Sequence, residues 1–214
     1  MKAVLFDFDG TIADTLPLIF HAFRKVFAKY TGQTYSDADI VGMFGPPEKG
    51  MIRARIQPIH WEAALHDFLQ FYDDEHERLV KAYPDIVNIL QLLKDKGLLL
   101  GVVTGKGRDS ANISLRHLDL APFFDVIITG DDVAEPKPDP EGLLKAAGRL
   151  GVQPAEAVYV GDSNSDIVAG KRAGMGTIGV NWLSTSQSEV FSEQPDVFFD
   201  TFQPFRKWLL SATR

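Results

Sequence analysis

Cysteine is absent from the 214 residues. That excludes disulfides, thiol nucleophiles and Cys-ligated zinc or iron–sulfur centres, and it fits a reducing compartment. Long apolar runs are absent too. The longest, such as Leu98-Leu99-Leu100-Gly101-Val102-Val103, falls far short of a bilayer span. The opening Met1-Lys2-Ala3-Val4-Leu5-Phe6 runs directly into Asp7, which is unlike a secretory signal, so a soluble cytoplasmic protein with no membrane partner is expected. No excess of positive charge is present. Lys+Arg 22 against Asp+Glu 29 gives a net charge of −7, which disfavours a nucleic-acid partner. Repeats and low-complexity stretches are also missing.

The sequence does have the makings of a core. Hydrophobic residues make up 45% and charged residues 24%, which suits one globular domain or one domain with an insertion. Apolar runs at 3–8, 98–104, 125–129, 157–161, 176–181 and 196–199 read as strands. Most are apolar throughout, as expected of parallel strands covered on both faces. Helical patterns lie between them. Over 85–96, Ile86, Ile89, Leu90 and Leu93 share a face, and 139–150 repeats the design. Alternating strands and helices predict a doubly wound, mainly parallel Rossmann-like α/β sheet, with its site at the carboxyl ends of the strands.

One connection is too long. A βαβ crossover needs about 30 residues, yet nearly ninety separate the first two strands. The surplus looks helical: 16–31 carries Leu16, Ile19, Phe20, Phe23, Val26 and Phe27, and 61–81 carries Leu65, Phe68, Leu69, Tyr72 and Leu79. We divide the chain into an α/β core of 1–14 and 83–214 and a helical cap of 15–82 inserted after the first strand. Such a cap would overhang that strand's carboxyl end as a lid. The five histidines form no evident ligand pair, and 73–77 reads as a solvated helix face.

The first strand ends in Asp7-Phe8-Asp9-Gly10. Asp9-Gly10 alone is a turn signal. Asp7 is different: a charge set directly after an apolar run is costly unless something compensates it. A hard divalent cation would do so. Gly10 permits a tight turn, and its N–H can face an anion.

The stretch Asp7-Phe8-Asp9-Gly10-Thr11-Ile12-Ala13-Asp14-Thr15 resembles the opening motif of the haloacid dehalogenase-like superfamily, in its phosphatase branch. Later strand ends resemble the remaining motifs in order. These are Thr104-Gly105, then Lys137 between Pro136 and Pro138, then Gly161-Asp162-Ser163-Asn164-Ser165-Asp166. Taken singly, each has a plainer explanation, such as a solvated lysine or a helix N-cap at Asp162 or Ser163. Four in sequence do not.

The resemblance implies a Mg²⁺-dependent phosphatase with a helical cap, acting on a small phosphate compound such as phosphoglycolate or pyrophosphate. It implies Asp7 as nucleophile and Asp9 as acid–base. Gly10, Thr104, Gly105 and Lys137 would bind the substrate's phosphoryl group, and Asp166 would orient Lys137 or metal-bound water. Asp7, the Asp9 carbonyl and Asp162 would hold Mg²⁺. Lys106, Lys49 or Arg53 would meet an anionic remote part of the substrate. A sugar phosphomutase of the same cap type and a non-catalytic phospho-accepting switch remain as alternatives. Nothing in the sequence separates a monomer from a homodimer.

Overall fold

The computed structural model describes residues 1–188 and 190–212. Its centre is a parallel sheet in the order β3-β2-β1-β4-β5-β6. The strands are β1 (Ala3–Phe6), β2 (Leu99–Val103), β3 (Val126–Ile128), β4 (Ala157–Gly161), β5 (Gly176–Val180) and β6 (Val197–Phe199). β1 lies between β2 and β4, with Phe6 in register with both Val102 and Val160. The chain builds outward from β1 to β3 on one side, then returns to build β4 to β6 on the other. The reversal at β1/β4 opens a crevice at the carboxyl edge of the sheet, where ligands of such folds bind.

The two faces of the sheet explain the continuous apolar runs. Val4, Phe6, Leu100, Val102 and Val160 pack with α6 (Pro84–Asp95), with Leu115 of α7 (Arg108–His117), and with Phe205 and Leu209 of α10 (Phe202–Ala212). Ala3, Leu5, Val103 and Ile128 face the opposite way. There they meet Leu143, Ala146 and Ala147 of α8 (Glu141–Leu150) and Ala169 of α9 (Asn164–Arg172). Neighbouring residues on one strand thus serve different layers.

Between β1 and α6 lie α1 (Leu16–Thr31), α2 (Asp37–Val41), α3 (Glu48–Arg53), α4 (Trp61–Asp74) and α5 (His76–Leu79). They enclose a separate apolar cluster, including Leu18, Phe23, Phe27, Ile40, Ile52, Phe68 and Tyr72. The chain leaves the core at Asp14 and returns at Lys81, and these two residues form an antiparallel bridge.

Several element boundaries differ from the sequence reading, three of them for a visible reason. β1 stops at Phe6 rather than 8, because the Phe8 carbonyl accepts the N–H groups of Thr11, Ile12 and Ala13 and turns the chain. The helix expected over 61–81 breaks at Glu75, after which the short α5 turns His76 inward. His76 is 1% exposed, so the expected solvated face is corrected there. It stacks on His117 at 4.5 Å and shares a hydrogen bond with Ser114. α8 begins at Glu141 rather than 139, its N–H taken by the Asp139 carboxylate. Among the described residues, no helix is long and apolar enough to cross a membrane.

Candidate active site

The turn after β1 places Asp7 at the tip of the central strand. Its N–H continues the ladder to the Val160 carbonyl, and its side chain is buried. Asp7 Oδ1 accepts a hydrogen bond from Lys137 Nζ at 2.8 Å. Burial pushes the Asp7 carboxyl up to about 7; Lys137 works against this, while Asp166 and Asp9 add to it. Asp9, two residues on, accepts a hydrogen bond from the Thr15 hydroxyl and lies 3.4 Å from Lys106 Nζ.

Gly10 requires a correction. Its N–H donates to the Ala13 carbonyl at 2.9 Å, so it is spent inside the turn and does not face an anion. Gly10 is needed for another reason. Its φ is +87°, and a Cβ there would come within 2.4 Å of Asp162 Oδ2. The bare backbone lets the carboxylate that follows β4 approach the opening loop.

Asp162 is fully buried. The Thr11 hydroxyl donates to its Oδ1, and the Gln187 N–H to its Oδ2, both at 2.7 Å. Burial, with the nearby Asp7 and Asp166, raises its carboxyl well above the ordinary range. Of the two candidates for the N-cap of α9, Asp162 and Ser163, it is Ser163 that caps it, exchanging hydrogen bonds with Asp166.

Lys137 gathers the acidic groups. Its Nζ reaches Asp166 Oδ1 at 2.6 Å and the Tyr159 hydroxyl at 3.0 Å as well as Asp7. Burial alone would lower the ammonium's pKa, but Asp166 and Asp7 outweigh it and raise it well above the ordinary value. Asp166 spends one oxygen on Lys137 and the other on Ser163 at the start of α9, so it anchors the lysine to a helix. Tyr159 joins this network and also donates to the Val103 carbonyl at 2.8 Å.

Thr104 follows β2, its N–H bonded to the Ile128 carbonyl and its hydroxyl accepting from the Lys106 N–H at 3.2 Å. Asp7, Asp9, Thr104, Gly105, Lys106 and Lys137 line one cavity of about 150 Å³. The helical insertion closes its other side with Leu16, Ile19, Phe23, Phe44, Pro47, Glu48 and Met51. Gly10, Asp162 and Asp166 do not line that cavity. Lys49 and Arg53 instead pack over the Trp61 ring, at 5.6 and 3.9 Å, and do not line the cavity. The fully buried Lys106 does line it; burial works to lower its pKa, but Asp9, Tyr72 and Glu48 together raise it.

The donor set suits a hard dication. Asp7, Asp162 and Asp166 each offer an oxygen within 4.8 Å of the others'. Lys137 is the cation bonded among these acids, which leaves excess negative charge in a buried site. Carboxylate oxygens so crowded favour a divalent ion over none.

Sequence reasoning did not find Tyr159, Thr11, Gln187 or Glu48. Tyr159 carried a usable signal, because a phenol inside an otherwise apolar strand must find a polar partner.

Comparison with known proteins agrees with this architecture. Residues 4–180 match the model of the haloacid dehalogenase-like hydrolase family. The chain is 35% identical over 200 residues to pyrophosphatase PpaX of Bacillus velezensis, covering 94% of this chain and 92% of that protein. Among solved structures, CbbY from Rhodobacter sphaeroides in complex with phosphate superposes with a TM-score of 0.82. It shows 26% identity, covering 94% of this chain and 95% of that one. A protein from Haemophilus somnus predicted to be a phosphoglycolate phosphatase shares the fold, with a TM-score of 0.84 at 22% identity over 97% of both chains.

Proposed function

The chain belongs to the haloacid dehalogenase-like hydrolase family, and from that premise we propose that it is a Mg²⁺-dependent phosphatase working through an aspartyl-phosphate. The observation that carries this is the convergence of Asp7, Asp9, Thr104, Gly105 and Lys137 on one cavity, with an Asp162 oxygen within 4.8 Å of one on Asp7.

Asp7 is the nucleophile. Its carboxylate oxygen bonds to phosphorus as the leaving oxygen departs with a proton from Asp9. Asp9 then takes a proton from the water that attacks the acyl-phosphate, which restores Asp7 and releases phosphate. Thr104 and the Gly105 backbone hold phosphoryl oxygens, and Lys137 balances their charge from its seat on Asp166. Asp7, the Asp9 carbonyl and Asp162 would hold Mg²⁺, which supplies charge neutralisation where several acids meet an anionic substrate. The helical segment 15–82 acts as a cap over the core formed by 1–14 and 83–214.

The substrate is small. A cavity of about 150 Å³ lies below the roughly 300 Å³ where drug-sized sites begin. Pyrophosphate and phosphoglycolate, the substrates in the names of the relatives, are of that size.

Phosphate release from pyrophosphate, phosphoglycolate and an aryl phosphate in Mg²⁺ tests the reading. Asp7→Asn should release none while keeping a native circular dichroism spectrum, and chelation should silence the wild type until Mg²⁺ is restored. Turnover by Asp7→Asn would remove the nucleophile assignment.

A further inference from the structure

α7 lacks a side chain where its N-terminal cap should be. Its N-cap residue is Gly107, whose own side chain offers no acceptor to the free N–H groups of the first turn. Asp131 of the core takes the Arg108 N–H at 2.8 Å, and the acceptor for the Gly107 N–H arrives from the helical insertion. Glu48, the first residue of α3, places Oε2 at 2.6 Å from the Gly107 N–H and Oε1 at 2.6 Å from the Ser110 hydroxyl. The fit needs a glycine: a Cβ on residue 107 would lie 2.6 Å from Glu48 Oε2. Glu48 is 7% exposed, an acid taken out of water for this contact.

The same carboxylate has a second neighbour. Lys106 Nζ stands 3.5 Å from Glu48 Oε1 and 3.4 Å from Asp9 Oδ1, and 4.5 Å from the centre of the Tyr72 ring. Among the described residues it is the one buried side-chain nitrogen or oxygen that makes no hydrogen bond. Two of its three neighbours, Glu48 and Tyr72, come from the insertion, and the third is Asp9 of the opening loop. A buried ammonium is tolerated only where anions surround it. Withdrawal of the insertion would therefore free the Gly107 N–H, leave α7 with Asp131 alone on the Arg108 N–H, and leave Lys106 with Asp9 alone.

We propose that Glu48 is a positioning residue that latches the helical cap to the core by capping α7 from across the cavity and fixing Lys106 at the cavity wall beside Asp9. This rests on the phosphatase reading, since Asp9 is where the leaving oxygen departs. The unbonded ammonium then stands next to that oxygen only while the latch is made. Glu48 acts through Lys106 and through closure, and does not touch the reacting phosphorus.

A latch and a merely structural acid differ in what they move. Loss of a latch lowers the fraction of competent, closed enzyme, so the apparent affinity falls by that fraction. Glu48→Gln should raise KM roughly tenfold and Ser110→Ala roughly threefold, each with a smaller change in kcat. The double variant should show less than the product of the two, because both act on one contact. A readout free of turnover is the Gly107 amide. In Glu48→Ala its hydrogen exchange should quicken at least tenfold, while amides from Ile113 to His117 keep their protection. Unchanged KM in Glu48→Gln and Ser110→Ala, or wild-type exchange at Gly107 in Glu48→Ala, would overturn the latch. A wild-type protein that releases no phosphate would instead sink the phosphatase reading, and the exchange experiment would still decide the contact.

Discussion

Gly10 and Asp162 occupy adjoining space: the carboxylate sits where any side chain on residue 10 would have to go, 2.4 Å from the position of its Cβ. The two residues are far apart in sequence, one in the turn after β1 and the other after β4. Their closeness shows how the crevice between those strands is narrowed to hold several acids together.

Gly10→Ala should therefore damage the proposed Mg²⁺ site more than the fold. Backbone strain at φ +87° costs roughly 1–3 kcal/mol. Displacement of Asp162 should raise the Mg²⁺ concentration needed for half-maximal turnover at least tenfold. A Mg²⁺ titration of phosphate release beside a thermal melt checks both, and an unchanged Mg²⁺ requirement would count against Asp162 as a ligand.

Lys137 and Tyr159 should separate in their effects. Lys137→Met removes the cation between Asp7 and Asp166 and leaves buried carboxylates uncompensated. Stability should drop by about 3–5 kcal/mol and kcat by at least a hundredfold. Tyr159→Phe leaves Lys137 in place but removes the hydroxyl shared with Val103 and Asp166, costing about 1–3 kcal/mol and a smaller part of kcat. Urea melts and steady-state kinetics on both variants provide the comparison.

Acid should loosen the contact between α5 and α7 through His76. Burial lowers its pKa from 6.5 to about 4; His117, Lys106 and Arg116 act in the same direction and Asp73 opposes them. Ser114 and the Tyr72 ring complete its surroundings. The unfolded chain binds this proton near 6.5 and the folded chain resists it until about 4, so unfolded molecules carry more protons in between. The stabilisation is present above 6.5 and lost as pH falls toward 4. Asp7 and Asp162, whose carboxyls are raised, act the other way in that window, so the comparison is between proteins: the wild-type melting temperature should fall with acid relative to that of His76→Gln. Equal slopes in the two proteins would remove His76 as the cause.

Much of this arrangement was legible before any coordinates. Asp7, Thr104 and Asp162 each follow a strand and Lys137 stands in the loop before α8; an apolar run ending in a charge marks a strand tip in one dimension. The helical insertion was legible because a crossover of that length has no other use. What stayed hidden depends on distances across the chain. The N–H of Gly10 turns inward because Ala13 folds back to meet it, which no spacing rule shows. Glu48 lies where Gly42, Gly45, Pro46, Pro47 and Gly50 interrupt the helical pattern, and nothing in that stretch shows that its carboxylate serves a distant helix. His76 reads as solvated until the break at Glu75 rotates it toward His117.

The segment after β5 fastens the loop after β1. The Trp182 indole N–H donates to the Thr11 carbonyl, Ser184 and Thr185 to the Asp14 carboxylate, Ser186 to the Gly10 carbonyl and the Gln187 N–H to Asp162. A ribosome delivers residue 10 long before residue 187. The nascent chain thus carries its acidic loop unclasped while the intervening core is made, and the clasp shuts only once these donors have cleared the exit tunnel. A stalled product ending shortly before Trp182 would contain every motif residue and still lack the fastening that aligns them.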